Sequence, residues 1–215
     1  MTLEAKELFK EKSVWEVLWA CRKIALSRVN YWTGVVTFLI LGVYGTCCVT
    51  TEFLIQTTRD LAKYWLPVGL NTLGFLVSGF AVYTALGKPS LFVQMAQRAH
   101  VPSGLTWLKY VLFVFLEVLI FYVVFSLFCA LIVVLCDVNG PIPHAFAALG
   151  LGEGWRWGIA LIGFVSVGLG IVASVLSLHA YIYNIYSSVM NCVKWESDQI
   201  DEAESAKKRT DNDSC

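Results

Sequence analysis

Charge is what this sequence has least of. Only 15% of its 215 residues are Asp, Glu, Lys or Arg, against roughly 25% in ordinary soluble domains, and 57% are hydrophobic. The deficit is concentrated: 29–51, 64–87 and 157–193 hold no formally charged residue, and between 110 and 136 Glu117 is the only one. About 20 apolar residues cross a hydrocarbon core of roughly 30 Å at a helical rise of about 1.5 Å per residue, so each of these gaps is long enough to span. That excludes a soluble globular protein, a disordered chain and a collagen. Seven cysteines without a C-x-x-C pair, set among such apolar blocks, exclude a secreted disulfide scaffold.

Motifs of chemistry are missing too. There is no G-x-S-x-G elbow, no Walker A sequence, no H-E-x-x-H and no Cys/His pattern with metal-ligand spacing. His100, His144 and His179 fall in three different layers of the topology derived below, so they share no metal, and no cofactor is expected. No basic patch supports direct nucleic-acid binding. An enzyme is therefore not expected.

Orientation follows from where the few cations lie. Of the sixteen Lys and Arg residues, thirteen fall before the first apolar block, between the second and third, or after the fourth. The positive-inside rule makes those three regions cytoplasmic, so both termini face the cytosol and the zero net charge conceals a strong asymmetry. Tyr31 with Trp32, Tyr64 with Trp65, Trp107 with Tyr110, and Trp155 with Trp157 mark the span edges, the depth that amphipathic rings favour. The expected architecture is an all-α integral membrane protein of the inner (plasma) membrane. It comprises a cytoplasmic amphipathic segment over 1–30, four transmembrane helices within 31–190 (about 31–52, 64–87, 108–136 and 157–187), and a charged cytoplasmic tail over 191–215. The first apolar run is too long for a signal-peptide core. Cys47 and Cys48 lie toward the outer end of span one and Cys136 at the outer end of span three, which leaves a disulfide between them open.

The polar material is mostly cytoplasmic. In the N-terminal segment Ser13 and Glu16 fit a capping box, and Val14, Leu18, Cys21 and Ala25 recur at helical spacing beside Trp15 and Trp19. This pattern suits an interfacial anchor on membrane lipids, or equally a helix packed on the protein's own loops. Pro89 and Ser90 open a short amphipathic helix whose Gln94 and Arg98 are candidates for docking a soluble partner. Trp195, Asp198 and Glu202 in the tail are candidates of the same kind. The outer loop, 137–156, is punctuated by glycine and proline and too small for a domain.

Inside the membrane, small residues recur at four-residue spacing as Ser166, Gly170 and Ser174 in span four and as Gly74 and Ser78 in span two. Such faces let helices approach closely, within a subunit or between subunits of a homo-oligomer. Asn71 is an amide of the kind that bridges helices. Glu117 costs several kcal/mol in hydrocarbon unless it pairs, protonates or meets water, and Thr37, Tyr83 and His179 are its partners of comparable depth. Those four residues form a candidate intramembrane polar site.

The stretch Gly74-Phe75-Leu76-Val77-Ser78-Gly79-Phe80-Ala81, running into a cytoplasmic helix after Gly87, resembles a pattern of small four-span bacterial membrane proteins. In size, span number and lack of a soluble domain the chain is similar to the membrane subunit of Kiwa-type anti-phage systems. The resemblance implies a membrane sensor that oligomerises and recruits a cytosolic, DNA-binding effector, and it carries over no catalytic residue. The expectation is a non-enzymatic sensor or anchor. A small oligomeric channel centred on Glu117 and a dimeric transporter are the alternatives.

Overall fold

A computed structural model describes residues 28–47, 50–86, 89–97, 99–100, 105–136, 140–141, 150 and 152–213. These residues are nearly all helical. The elements are α1 (Arg28–Cys47), α2 (Thr51–Leu86), α3 (Pro89–Gln97), a two-residue hairpin pair β1 (Ala99–His100) and β2 (Leu105–Thr106), α4 (Trp107–Leu135) and α5 (Glu153–Asp213). β1 and β2 are antiparallel, with Ala99 opposite Thr106 and His100 opposite Leu105. Residues 1–27, which hold the expected amphipathic segment, and most of the 137–156 loop lie outside the described residues.

Three helices are long and apolar enough to cross a membrane: those over Thr51–Ala85, Trp107–Leu135 and Glu153–Asp201. The chain is therefore a membrane protein with transmembrane helices. α1, the expected first span, is not among them. Its 20 residues match a bilayer in length, but Asn30, three threonines, three glycines and two tyrosines dilute its apolar character. It ends at Cys47, short of the expected boundary at residue 52.

Two helices run beyond their charge-free stretches. Residues 53–63, expected to connect spans one and two, lie in the first turns of α2. Glu52, Gln56, Asp60 and Lys63 are exposed there, while Leu54, Thr58 and Ala62 are buried, so a four-residue period gives this stretch one wet and one dry face. At the other end of the chain, α5 continues without interruption to Asp213. Its 61 residues make a helix about 90 Å long, and the charged tail is its free end.

Helix contacts fix the directions. Leu41 and Gly45 of α1 touch α5 at Gly168 and Leu161, so these helices are antiparallel. Leu54 of α2 clusters with Phe164, and farther along Leu76 meets Tyr181, so α2 and α5 are parallel. Phe125 of α4 lies on Gly170 while Phe115 packs at a tilt against Tyr181, so α4 and α5 are antiparallel. Successive long helices therefore alternate in direction.

The packing centre is α4. Val111, Phe115, Val118, Tyr122, Phe125, Cys129 and Ile132 are buried and recur at intervals of four and three residues, the seam of a coiled-coil-like contact. Two buried tyrosines then tie the bundle together. Tyr122 donates through its hydroxyl to the Ser174 carbonyl of α5 at 2.9 Å, and Tyr181 of α5 donates to the Leu76 carbonyl of α2 at 2.7 Å. Tyr122→Phe and Tyr181→Phe each remove one such bond while the carbonyls keep their helical partners. Each is expected to lower stability by about 0.5–1.5 kcal/mol, read as a lower unfolding midpoint in mild detergent.

Candidate functional site

Glu117 sits on α4 one position before buried Val118 and is itself half-buried. Among the described residues, no hydrogen bond or ion pair reaches its carboxylate. The helices do not gather the expected partners around it. His179 is exposed, because it lies two residues, or about 200°, from buried Tyr181 on the same helix. Thr37 sits one turn from Leu41, whose contact is with Gly168, whereas Glu117 follows Phe115, whose contacts are Tyr181 and Tyr83. Tyr83 is buried, and its ring stands edge-on to Phe92 and Phe115 at centroid distances of 6.3 and 5.3 Å. It belongs to an aromatic wall at the end of the bundle that α3 covers.

The small residues divide into two groups. In α5, Gly170 lies directly under the Phe125 ring, Ser174 is fully buried with its hydroxyl donated to the Gly170 carbonyl at 2.7 Å, and Ser166 is half-buried. In α2, Gly74 has nothing within 4 Å of the position a β-carbon would take, and Ser78 is exposed with its hydroxyl donated to its own helix at Gly74, 2.9 Å away. Asn71, one turn above, is exposed as well. The first group is spent within the subunit and the second is open.

The docking candidates separate in the same way. Gln94 is half-buried on α3, a helix whose Met95 and Ala96 are buried and which rests on Tyr83 through Phe92. Trp195 is half-buried against the same core. Asp198 is exposed on the free end of α5, Glu202 belongs to that same helical end, and Arg98 lies outside the described residues. Among the described residues no group of His, Cys, Asp and Glu could hold a metal ion. Cys47 is exposed, Cys136 is half-buried and both are free thiols, while Cys48 lies outside the described residues.

Sequence reasoning did not single out Tyr122, Tyr181 or the Trp65–Gly69–Ser126 contact. The Trp65 indole nitrogen and the buried Ser126 hydroxyl lie 3.0 and 3.1 Å from where a Gly69 β-carbon would stand, and among the described residues neither atom has a hydrogen-bond partner. The heptad spacing of α4 was the available signal for Tyr122. No protein-family model, curated protein or solved structure matches the chain.

Proposed function

We propose that this chain is a non-enzymatic four-span protein of the inner membrane, with both termini cytoplasmic, that oligomerises and holds a cytosolic effector on the free end of α5, in the manner of the membrane subunit of Kiwa-type anti-phage systems. The observation that carries the reading is the unbroken helix from Glu153 to Asp213, which couples an apolar span to an exposed acidic surface at Glu196, Asp198 and Asp201. The alternating helix directions support a fourth crossing by α1, since its start would then share a side with the end of α5. The excess of cations in the same regions supports that side as cytoplasmic. The pore reading has no comparable support, because Thr37, Tyr83 and His179 do not converge on Glu117.

The test must spare the fold. Removing α3 would take Met95 and Ala96 from the core, and removing Trp195 would expose the rings it covers. Truncation after Ser197 leaves both in place. It is expected to abolish co-purification of the soluble partner from gently solubilised membranes, and with it protection against phage, while insertion and subunit assembly persist. Undiminished co-purification by the truncated chain would sink the proposal.

A further inference from the structure

Trp65 and Gly69 stand one turn apart on the face of α2 that packs on α4, and Ser126 meets them from α4. The Trp65 ring has little freedom there, because Tyr122 and Phe125 of α4 lie against it at centroid distances of 6.4 and 5.9 Å. Its indole nitrogen is thereby held beside Gly69. Gly69 is buried, and Ser126 keeps only 4% of its surface exposed. The nitrogen and the Ser126 hydroxyl converge on one point, 3.0 and 3.1 Å from the place a Gly69 β-carbon would take. They are therefore at most about 6 Å apart, a gap that one bridging atom closes with two ordinary hydrogen bonds. Among the described residues they bond neither to each other nor to any other group.

The hydroxyl is the more telling of the two. Serine and threonine in an apolar helix commonly return their proton to a carbonyl of the preceding turn, as Thr58, Ser78 and Ser174 do to Leu54, Gly74 and Gly170 at 2.6, 2.9 and 2.7 Å. Ser126 makes no such bond to Tyr122 and holds its oxygen beside Gly69 instead. A buried polar group without a partner is costly, and hydrocarbon offers no substitute. Two such groups, from different helices, meet at the one residue type that has no side chain to fill the space between them.

We propose that the Trp65 indole N–H, the Ser126 hydroxyl and the bare backbone of Gly69 form a binding site for one water molecule, which bridges α2 to α4 inside the bundle. Water fits both groups: its oxygen accepts from the indole N–H, and it can either donate to or accept from the hydroxyl. A cation is repelled by the N–H donor, and an anion buried against two neutral groups is costly. Buried waters are held in this way, by about two to four polar groups each. Glycine at 69 leaves the room, since an alanine methyl would stand within 3.1 Å of both polar atoms. The site depends only on how α2 packs against α4, so it is independent of membrane topology and of any cytosolic partner.

Replacing the water by a fixed hydroxyl tests the site. Gly69→Ser brings an oxygen into the space and can keep both bonds, whereas Gly69→Ala fills the same space and keeps neither. In reversible unfolding of the full chain in mixed micelles, the unfolding equilibrium constant of Gly69→Ala is expected to exceed that of Gly69→Ser by about fivefold or more. Alanine is the better helix former, so propensity alone gives the opposite order. Equal stability of the two variants, or a less stable serine variant, would overturn the proposal, because no polar atom is then accommodated between α2 and α4. Should neither variant fold, the unmodified protein decides. A crystal structure fine enough to show ordered water is expected to hold one within about 3.2 Å of both Trp65 Nε1 and Ser126 Oγ. A direct bond between those two atoms, or a lipid or detergent chain in the space, would overturn the proposal as well.

Discussion

Gly170→Leu is expected to remove the folded protein from detergent extracts, and Gly170→Ala to lower its stability by about 1–3 kcal/mol, the usual cost of forcing extra volume into a packed interior. The reason is the Phe125 ring, three of whose atoms, Cδ2, Cε2 and Cζ, occupy the space a β-carbon on residue 170 would need. A single flexible side chain could swing aside at little cost. Phe125 cannot, because its ring is hemmed in by Trp65, Phe121 and Phe128 at centroid distances of 5.9, 6.0 and 6.4 Å. Displacing it would also disturb the next turn, where Tyr122 is bonded to Ser174. Size-exclusion profiles and unfolding midpoints of the solubilised protein check both variants. Phe125→Ala added to Gly170→Leu should restore part of the loss, since the new side chain then enters the space the ring vacates. An unchanged midpoint in Gly170→Ala would show that α4 and α5 do not pack as described.

The placement of charge reveals where apolar helix must lie and says little about where helix stops. Three apolar helices and the tight Gly170–Ser174 face were legible for that reason. The start of α2 was not, because Glu52, Gln56, Asp60 and Lys63 read as a polar connection until their four-residue spacing is set beside buried Leu54, Thr58 and Ala62. The tail was hidden by the same ambiguity, since solvated charge is compatible with loop and with the exposed end of a long helix. Glu117 illustrates a different limit. Depth in the bilayer selected Thr37, Tyr83 and His179 as its partners, but depth does not determine the direction a side chain takes around its helix. The 200° between His179 and Tyr181 turns the imidazole outward, and Tyr83 is engaged with Phe92 and Phe115. Trp195 reads from the sequence as a docking residue and not as a packed one, because the core that receives it is assembled from α2, α3, α4 and α5.

Subunit assembly should depend on the open face of α2. Asn71, Gly74 and Ser78 are exposed in the middle of an apolar span, and among the described residues nothing hydrogen-bonds to the Asn71 amide. Ser78 meets its own needs through the Gly74 carbonyl, whereas an amide left in hydrocarbon lacks any such recourse. On the oligomeric reading proposed above, a second copy presenting the same face would satisfy it, with two-fold symmetry setting Asn71 against Asn71 and Gly74 letting the backbones close. Asn71→Leu is expected to weaken self-association by about threefold to eighteenfold, the equivalent of the roughly 0.6–1.7 kcal/mol measured for polar contacts between membrane helices. Gly74→Ile should weaken it further by holding the helices apart. Neither should alter the stability of the isolated subunit by more than about 0.5 kcal/mol, because the space around Gly74 is empty within 4 Å. Sedimentation or single-molecule photobleaching at several detergent-to-protein ratios separates the two effects. Undiminished assembly in both variants would assign this face to lipid and move the subunit contact to another helix.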